Sequence, residues 1–244
     1  MAAFAVFCRY GVKRSTMNDI ATEAGVARQT LYNSFSNKDD VLRGLIRLYY
    51  ERAILEIKTG CANRPDLAAR LDLLFEHIAI NPYDLMSETP HAADIQDGFN
   101  TAGQFENAAG LSRVRIVISE MLEPYEVQIS AAGHTVATLS EFVLISAKAA
   151  KGHATSREHL LTLIGTLKAL IIGIVAHALY KSALFLIAGI VDHATGTRDI
   201  RRLGGLAKVM PYTAAVAFLA AMSMAGLPPP IWLFGEGNVV ENGR

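Results

Sequence analysis

Apolar positions in the first quarter of the chain recur at the three- and four-residue spacing of short helices that rest on a common core. The first stripe is formed by Ala3, Phe4, Val6 and Phe7. It ends near Gly11, and a glycine just past a helix adopts the left-handed conformation at little steric cost. The second stripe is formed by Met17, Ile20, Ala21 and Ala24. It stops at Gly25, so the pattern predicts two short helices, each ended by a glycine.

A third short helix is predicted directly after Gly25, from about residue 27 to residue 35. Its predicted inward positions are Val26, Leu31 and Phe35. Its polar outer face is formed by Arg28, Gln29, Thr30 and Asn33. Thr16 is the candidate N-cap of the preceding helix, and Asp19 can reach back to it in a variant of the capping box. Two short helices joined by a glycine turn, the second one polar outside, are typical of a helix-turn-helix that reads DNA.

The outward side chains of the third helix have the chemistry of base recognition. Arginine can donate two parallel hydrogen bonds to guanine O6 and N7, and glutamine can pair in the same way with adenine N6 and N7. Lys38 stands at the start of the next helix, where an ammonium and free backbone N–H groups would face a phosphate. The spacing alone also allows a small helical bundle whose polar faces are merely solvated.

The residues themselves favour the DNA-binding interpretation. The run from Thr16 to Leu42, TMNDIATEAGVARQTLYNSFSNKDDVL, closely resembles the helix-turn-helix motif of TetR-family transcriptional regulators. The resemblance implies DNA contacts from Thr16, Arg28, Gln29, Thr30, Tyr32, Asn33 and Lys38. Ala27 stands where the family more often has serine, which removes a hydroxyl cap worth on the order of 1 kcal/mol. The chain also starts late in the first helix, so the DNA affinity that a basic N-terminal arm supplies in this family is expected to be reduced.

The middle of the chain continues the helical pattern. A long helix is predicted from Lys38 toward Lys58, and further amphipathic stretches are predicted over residues 67–80, 111–121, 136–150 and 156–172. Pro82 is expected to end the first of these stretches. No strand-like alternation, nucleotide-binding loop or metal-ligand spacing occurs in the sequence. The sequence therefore predicts an all-α protein with no enzyme activity, no metal and no cofactor.

The resemblance implies a helical ligand-binding and dimerisation domain after the helix-turn-helix. In TetR regulators the last two long helices of each subunit form a four-helix dimer interface, here expected over residues 136–150 and 156–172. The apolar positions expected to serve it are Leu139, Phe142, Val143, Ile145, Leu160, Leu163, Ile164 and Leu167. The small-molecule effector is not identified by the sequence. Candidate lining positions, which would suit a plain core equally well, are Phe75, His77, Phe99, Phe105 and Tyr125.

The last third of the chain has a different pattern. Residues 170–191 are apolar apart from His177, Lys181 and Ser182, and residues 213–234 carry no charge, so each stretch is long enough to span a bilayer. The connecting residues 192–211 hold four basic side chains, namely Arg198, Arg201, Arg202 and Lys208. A buried helical hairpin in a soluble protein is the alternative interpretation.

A second resemblance is carried by four runs in this region: HALYKSALFLIAG from His177, DHATGTRDI from Asp192, LGGL from Leu203 and MAGLPP from Met224. They are similar to the large membrane subunits of multi-subunit Na+/H+ antiporters and of respiratory complex I. The resemblance places His177 and Lys181 along an intramembrane proton path, which suits the cost of ionisable groups in lipid. The match covers about residues 174–231, several transmembrane helices short of such a subunit, so no transport is assigned.

The two resemblances divide the chain into a helix-turn-helix DNA-binding domain at 1–44, an effector-binding and dimerisation domain at 45–172, and an antiporter-like transmembrane fragment at 173–244. The basic loop of the tail would stay cytoplasmic by the positive-inside rule, which would place the DNA-binding half outside. Either folding of the N-terminal half in the cytosol overrides this rule, or the tail does not insert properly into a membrane. A fusion of two unrelated coding segments near residue 172 is the simplest account, and its natural or artefactual origin stays open.

Composition narrows the cellular setting. The whole chain has a formal net charge of +0, although residues 1–60 carry a small excess of basic side chains. Its 2 cysteines are too few for a disulfide framework and suit a reducing compartment. The first residues lack the order of a signal peptide, so a cytoplasmic location is expected.

The sequence therefore predicts a sequence-specific transcriptional regulator, expected to be a homodimeric repressor. Its predicted partners are a double-stranded DNA operator and an unknown small-molecule effector, with membrane association through residues 173–235. Two alternatives stay open. One is a fragment of a membrane cation/proton antiporter or complex I-like subunit fused to a regulator, and the other is a non-functional chimera.

Overall fold

The computed structural model describes residues 2–197, 201 and 204–225, and every regular element within these ranges is helical. The predicted all-α fold class is therefore confirmed. The α-helices are α1 (Ala2–Tyr10), α2 (Met17–Ala24), α3 (Arg28–Ser34), α4 (Lys38–Ala62), α5 (Leu67–Phe75), α6 (Asn81–Ser87), α7 (Ala92–Asn100), α8 (Gln104–Leu122), α9 (Glu126–Ala131), α10 (Val136–His153), α11 (Arg157–Thr195), α12 (Leu206–Val209) and α13 (Pro211–Met224). A π-helical turn (Glu76–Ile80) joins α5 to α6, and a 3-10 turn (Glu123–Tyr125) follows α8.

The helices group into two compact units. The first unit comprises residues 1–126 and 134–172, and the second comprises residues 127–133 and 173–244. The division between residues 172 and 173 lies where the hydrophobic pattern of the sequence changes. The helix-turn-helix and the helices that follow it up to residue 126 belong to the same compact unit.

The N-terminal helices bury the apolar stripes that the sequence predicts. The side chains enclosed there are Val6, Phe7, Met17, Ile20, Leu31 and Leu42. Ala3, Phe4 and Phe35 are half-buried, whereas Ala24 and Val26 are exposed and Val26 keeps 41% of its surface. The inward position predicted for Val26 is wrong because Gly25 ends α2 in the left-handed conformation, which puts the next residue in the turn rather than on a helix face.

The helix predicted to end at Pro82 continues through it. α5 passes into the π-helical turn, in which the Asn81 N–H donates to the carbonyl of Glu76 five residues earlier. α6 then begins at Asn81, so Pro82 lies in a first helical turn and is buried. Pro82 has no N–H to donate to the preceding turn, and the π-helical turn changes the backbone hydrogen-bonding register just before it. The expected stop at Pro82 is therefore wrong.

The centre of the first unit is built by α8 packed between α4 and α10. A Cβ added at Gly110 would lie 2.1 Å from the ring of Tyr50, so this glycine allows the two helices to approach. The Tyr50 hydroxyl donates to Asn107 Oδ1 at 2.6 Å. On the other side of α8, Ser119 Oγ donates to Ser140 Oγ at 3.0 Å. Four helices, α4, α8, α10 and α11, are longer than the predicted stretches, and α6, α7 and α9 were not predicted.

Only part of the apolar set expected at the dimer interface faces outward. Five of its members are buried inside the protein: Leu139, Val143, Leu160, Ile164 and Leu167. Phe142 and Ile145 remain 49% and 58% exposed. Because α10 carries apolar residues on two faces, the sequence pattern could not separate the face that packs inward from the face left outside.

α11 is one continuous helix, as the lack of glycine and proline between Lys168 and Ile172 predicts. Within the first unit, Lys168 Nζ donates to Asp72 Oδ1 at 2.6 Å, and Arg157 Nε donates to Asp84 Oδ1 at 3.1 Å. These ion pairs attach the start of the helix to α5 and α6.

In the described part of the chain, the stretch Arg157–His177 is long and apolar enough to cross a membrane. Of its most apolar part, 28% is buried inside the protein. The bent pair Gln104–Ala131 and Val136–His153 meets the same criterion only when taken together. Core helices of soluble proteins have the same length and composition. The stretch begins earlier than the predicted residues 170–191. Of the second predicted stretch, α13 covers the described part, and residues 226–234 lie outside the described residues.

Candidate nucleic-acid interface

The turn between α2 and α3 is shaped by Gly25. Its φ of 66° is left-handed, and its N–H donates to carbonyls at the end of α2, including Thr22 at 3.1 Å. The N–H of Val26 donates to the carbonyl of Ala21 at 3.1 Å, which completes the capping of α2. This turn lets α3 leave α2 at an angle while its inward residue, Leu31, stays buried.

The start of α2 is closed by the predicted capping box. Thr16 Oγ1 accepts from the Asp19 N–H at 3.2 Å, and Asp19 Oδ2 accepts from the Thr16 N–H at 2.8 Å. The hydrogen bonds from the side chain and backbone of Thr16 lower the pKa of Asp19, because they stabilise its ionised form. Thr16 is exposed at the surface, so its hydroxyl caps the helix beside the predicted DNA contacts.

The residues of α3 that are predicted to contact DNA share its solvent face. Arg28, Gln29, Thr30, Tyr32 and Asn33 are all exposed. Two pairs form one helical turn apart: the Arg28 guanidinium lies 5.3 Å from the centroid of the Tyr32 ring, and Gln29 Nε2 donates to Asn33 Oδ1 at 3.2 Å. Four of these side chains are therefore paired with one another. Base pairs in a major groove would compete for the same donors and acceptors.

The start of α3 lacks a side-chain cap, as expected from Ala27. The N–H of Thr30 instead bonds to the carbonyl of Ala27 at 2.9 Å. The remaining N–H groups of this first turn are open to other acceptors, such as a phosphate oxygen.

Lys38 is placed differently from the expectation. It begins α4, but its Nζ donates to the backbone carbonyls of Lys13 and Ser15, each at 3.0 Å. The cap of α4 comes from Asn37, whose Oδ1 accepts from the Asp40 N–H at 2.9 Å. Lys38 therefore braces the link between α1 and α2. A phosphate contact from Lys38 stays a prediction.

The candidate effector-lining residues do not converge on one site. Phe75 is fully buried, whereas Phe105 is 81% exposed and belongs to neither a core nor an enclosed pocket. His77 is half-buried, with Nδ1 3.3 Å from Glu56 Oε2. A cavity of ≈ 370 Å³ opens elsewhere, between the α1–α2 link, the start of α4 and α7. None of the five candidates lines it.

Beneath His77, two tyrosines of α4 meet edge to face, with ring centroids 5.2 Å apart. The Tyr49 hydroxyl donates to the His77 carbonyl at 3.4 Å. Burial raises the pKa of Tyr49, and it raises the pKa of Tyr50 to about 12. Both hydroxyls therefore remain protonated donors at physiological pH.

The structure also contains a contact that the sequence pattern did not reveal. Lys13 lies within hydrogen-bond or ion-pair distance of Asp94 and Asp97 on α7. The carboxylates stand one helical turn apart, but the basic partner is about 80 residues earlier, so only the fold could bring them together. Among the described residues, no group of three or more His, Cys, Asp or Glu side chains could hold a metal ion.

In the second unit, His177 and Lys181 lie one turn apart on α11, and both are exposed. Their predicted relation to a proton path rests on resemblance to proteins that have further helices around these positions. Within the loop before α13, Arg198 and Arg202 lie outside the described residues.

Two family models match different segments of the chain. Residues 1–45 match the bacterial regulatory proteins of the tetR family. Residues 159–243 match the transmembrane family of NADH:quinone oxidoreductase and Mrp antiporter subunits. Both resemblances noted in the sequence are therefore confirmed.

Curated antiporter subunits match the C-terminal part of the chain. A putative antiporter subunit mnhA2 of Staphylococcus saprophyticus is 67% identical over 52 residues, which cover 21% of this chain and 6% of that protein. A Na+/H+ antiporter subunit of Alkalihalophilus pseudofirmus is 56% identical over 61 residues, covering 25% of this chain and 8% of the relative. The chain thus spans less than a tenth of the length of these relatives.

Two solved structures match most of the chain in fold. The fatty acid degradation regulator FadR of Bacillus halodurans has a TM-score of 0.54 at 20% identity, with 70% of this chain and 91% of that chain covered. A putative transcriptional regulator of Pseudomonas aeruginosa has a TM-score of 0.53 at 15% identity, with 72% and 88% covered. The chain therefore combines the fold of such regulators with a short antiporter-like segment.

Proposed function

We propose that residues 1–172 act as a sequence-specific DNA-binding transcriptional regulator and that residues 173–244 are an appended membrane-protein fragment. The observation that carries the proposal is the solvent face of α3. Arg28, Gln29 and Asn33 stand there on a helix fixed by the Gly25 turn, and residues 1–45 match the tetR family. We propose that Arg28, Gln29, Thr30 and Asn33 read base edges in the major groove, while Thr16, Tyr32 and Lys38 contribute sugar and phosphate contacts.

A homodimer is the form in which we expect DNA binding. Phe142 and Ile145 on α10 and Leu161 and Leu170 on α11 are 40–58% exposed, although all four are large apolar side chains. A Cβ on Gly165 of α11 would meet no atom within 4 Å, so the helix surface is open there. A second copy of the chain would cover these residues and place two α3 helices on one duplex. We propose repression as the sign of regulation, released by an unidentified small molecule.

Selection from a random duplex pool tests the DNA-binding proposal. The full chain, in detergent where it requires one, is expected to enrich a near-palindromic sequence at moderate salt, because a symmetric dimer presents the same face to two half-sites. A double variant, Arg28→Ala with Gln29→Ala, serves as the control and should lose the enrichment while keeping its helical content. If the unsubstituted chain enriches no sequence, the proposed function is wrong.

Membrane association is the second candidate property, and it concerns residues 173–235. It is favoured by the antiporter match over 159–243 and by apolar side chains left outside, such as Phe185 and Leu186 at 69% exposure each. We propose that the chain is held at the cytoplasmic side of a membrane and carries out no ion transport by itself, since a proton path needs helices from the rest of such a subunit.

Fractionation with an alkaline carbonate wash tests this second proposal. An inserted segment stays in the membrane pellet after the wash, whereas a peripheral chain is released. An aggregated chain also pellets, but it separates from the lipid in a density gradient. Recovery of the full chain in the soluble fraction would show that the tail is buried as a helical hairpin instead.

A further inference from the structure

The short link between α1 and α2 is held from two sides. From α4, Lys38 Nζ donates to the carbonyls of Lys13 and Ser15, each at 3.0 Å. From α7, Asp94 Oδ2 accepts the backbone N–H of Lys13 at 2.9 Å. Asp97 Oδ2 of the same helix lies 2.8 Å from the Lys13 ammonium. The link is therefore bonded both to the helix that follows the helix-turn-helix and to a helix much later in the chain.

The link and α7 approach closely enough to move together. A Cβ at Gly11 would lie 2.6 Å from Asp94 Oδ2, and Gly11 has a φ of +81°, so no other residue type fits there without strain. On α7, a Cβ at Gly98 would lie 3.1 Å from Leu42 and 3.6 Å from Val12. At each glycine the neighbouring atoms belong to side chains: Asp94 lies against Gly11 of the link, and Val12 of the link lies against Gly98 of α7. Closely packed contacts of this kind transmit displacements rather than absorbing them.

α7 is itself anchored in the body of the first unit. Ile95, on the same helix as the two carboxylates, is 1% exposed. α7 packs on α8, and α8 packs along α4 and α10. α8 therefore contacts both of the helices that hold the link, α4 through Lys38 and α7 through Asp94 and Asp97.

We propose that Asp94 and Asp97 are positioning residues for DNA recognition, which act through Lys13 to set the orientation of α2 and α3 on the rest of the first unit. The inference rests on the proposed role of α3 in reading bases. It assigns a task to two carboxylates that lie outside the helix-turn-helix motif and have no part in contacting DNA.

The electrostatics support the contact. Asp97 and Asp94 raise the pKa of Lys13, by hydrogen bonding and by Coulombic attraction, so its ammonium remains charged at physiological pH. An isolated pair at this exposure, 75% for Lys13 and 48% for Asp97, would contribute little. Here the Lys13–Asp97 pair is accompanied by the hydrogen bond from the Lys13 N–H to Asp94 and by the close contact of Gly11 with Asp94. All three interactions hold the same short link.

A charge reversal at Asp97 tests the proposal, with Glu120 as its matched control. Glu120 Oε2 pairs with Lys58 Nζ at 2.7 Å and its side chain is 51% exposed, close to the 2.8 Å and 48% of Asp97. Asp97→Lys and Glu120→Lys add the same charge, so they alter nonspecific attraction to DNA in the same direction. Both are made in the full chain, and hydrogen–deuterium exchange is measured without DNA.

We expect Asp97→Lys to accelerate amide exchange across residues 11–34 by about threefold or more, because like charges replace the pair that holds the link. Exchange in α10 should be unchanged, and Glu120→Lys should leave residues 11–34 unaltered. On the duplex selected by the unsubstituted chain, Asp97→Lys should bind at least about threefold more weakly than Glu120→Lys.

Equal exchange across residues 11–34 in both variants would overturn the inference. The inference would also be overturned if Asp97→Lys accelerated exchange but bound the duplex with the same affinity as Glu120→Lys. The contact would then stabilise the link without positioning α3. Failure to select any duplex with the unsubstituted chain is a different result, because it removes the proposed function and with it the role assigned to these carboxylates.

Discussion

The two units differ in how they treat large apolar side chains. In the first unit Phe7, Leu42 and Phe75 have no exposed surface. In the second unit Phe185 and Leu186 are each 69% exposed, and Tyr212 is 88% exposed. Helices of the first unit are mostly amphipathic, whereas those of the second are apolar around most of their circumference. The periodicity of apolar residues, more than their number, therefore decides whether a helix can complete its burial within this chain.

The comparisons with known proteins repeat this contrast. Solved regulators are covered over 88% and 91% of their length, whereas curated antiporter subunits are covered over 6% and 8% of theirs. A nearly whole fold can supply its own core. A short segment of a large membrane protein leaves helix faces that its missing neighbours would cover.

Removing the tail should have the largest effect. A chain ending at Leu170 is expected to be a soluble dimer. The full chain should be membrane-associated or insoluble, because insertion or aggregation removes the apolar surface of its tail helices from water. Size-exclusion chromatography with light scattering measures both states. A full chain that purifies without detergent as a monodisperse dimer would contradict the membrane interpretation.

Matched phenylalanine truncations in the two units sharpen the comparison. Phe75→Ala should lower the free energy of unfolding by about 3–5 kcal/mol, because it leaves a cavity in a closed core. Phe185→Ala should leave the unfolding of the first unit within about 0.5 kcal/mol of the parent chain. Denaturant titrations followed by circular dichroism, in one detergent for all three chains, measure the difference. Equal losses from both changes would show that the second unit has a core of its own.

A substitution on the face of α3 should affect binding rather than folding. Arg28→Ala is expected to weaken binding to the selected duplex by about 1–3 kcal/mol and to relax the preference at one base pair per half-site. Arg52→Ala is the control, since this arginine is exposed on α4 and pairs with Glu56 at 3.2 Å. Fluorescence anisotropy on duplexes with single base changes measures both effects. A uniform loss across all duplexes would assign Arg28 to the DNA backbone instead.

The smallest effect is expected at Lys38. If its ammonium leaves the carbonyls of Lys13 and Ser15 to meet a phosphate, Lys38→Ala should reduce the slope of log affinity against log salt by about one, with base preference unchanged. Affinity measured over a series of salt concentrations decides this. An unchanged slope together with a lower unfolding free energy would show that Lys38 only braces the link.

Local features of the first unit could be predicted from short stretches of sequence. The Thr16–Asp19 capping box and the Gly25 turn each depend on residues only a few positions apart, and both were predicted correctly. The exposure of Phe105 and the burial of only one face of α10 were not predictable in this way. Both depend on which neighbouring helix covers a face, and apolar spacing carries no information about the neighbour.

By itself, the sequence determined the helical class, the helix-turn-helix and the change in pattern near residue 172, because periodicity, caps and glycine turns act over one or two helical turns. Only the tertiary structure decided that the chain continues as helix through Pro82, that Lys38 points at backbone carbonyls and that Lys13 meets Asp94 and Asp97. Each of these depends on groups brought together by packing. The partners of Lys13 lie 81 and 84 residues away along the chain, a distance over which no local pattern can specify a contact.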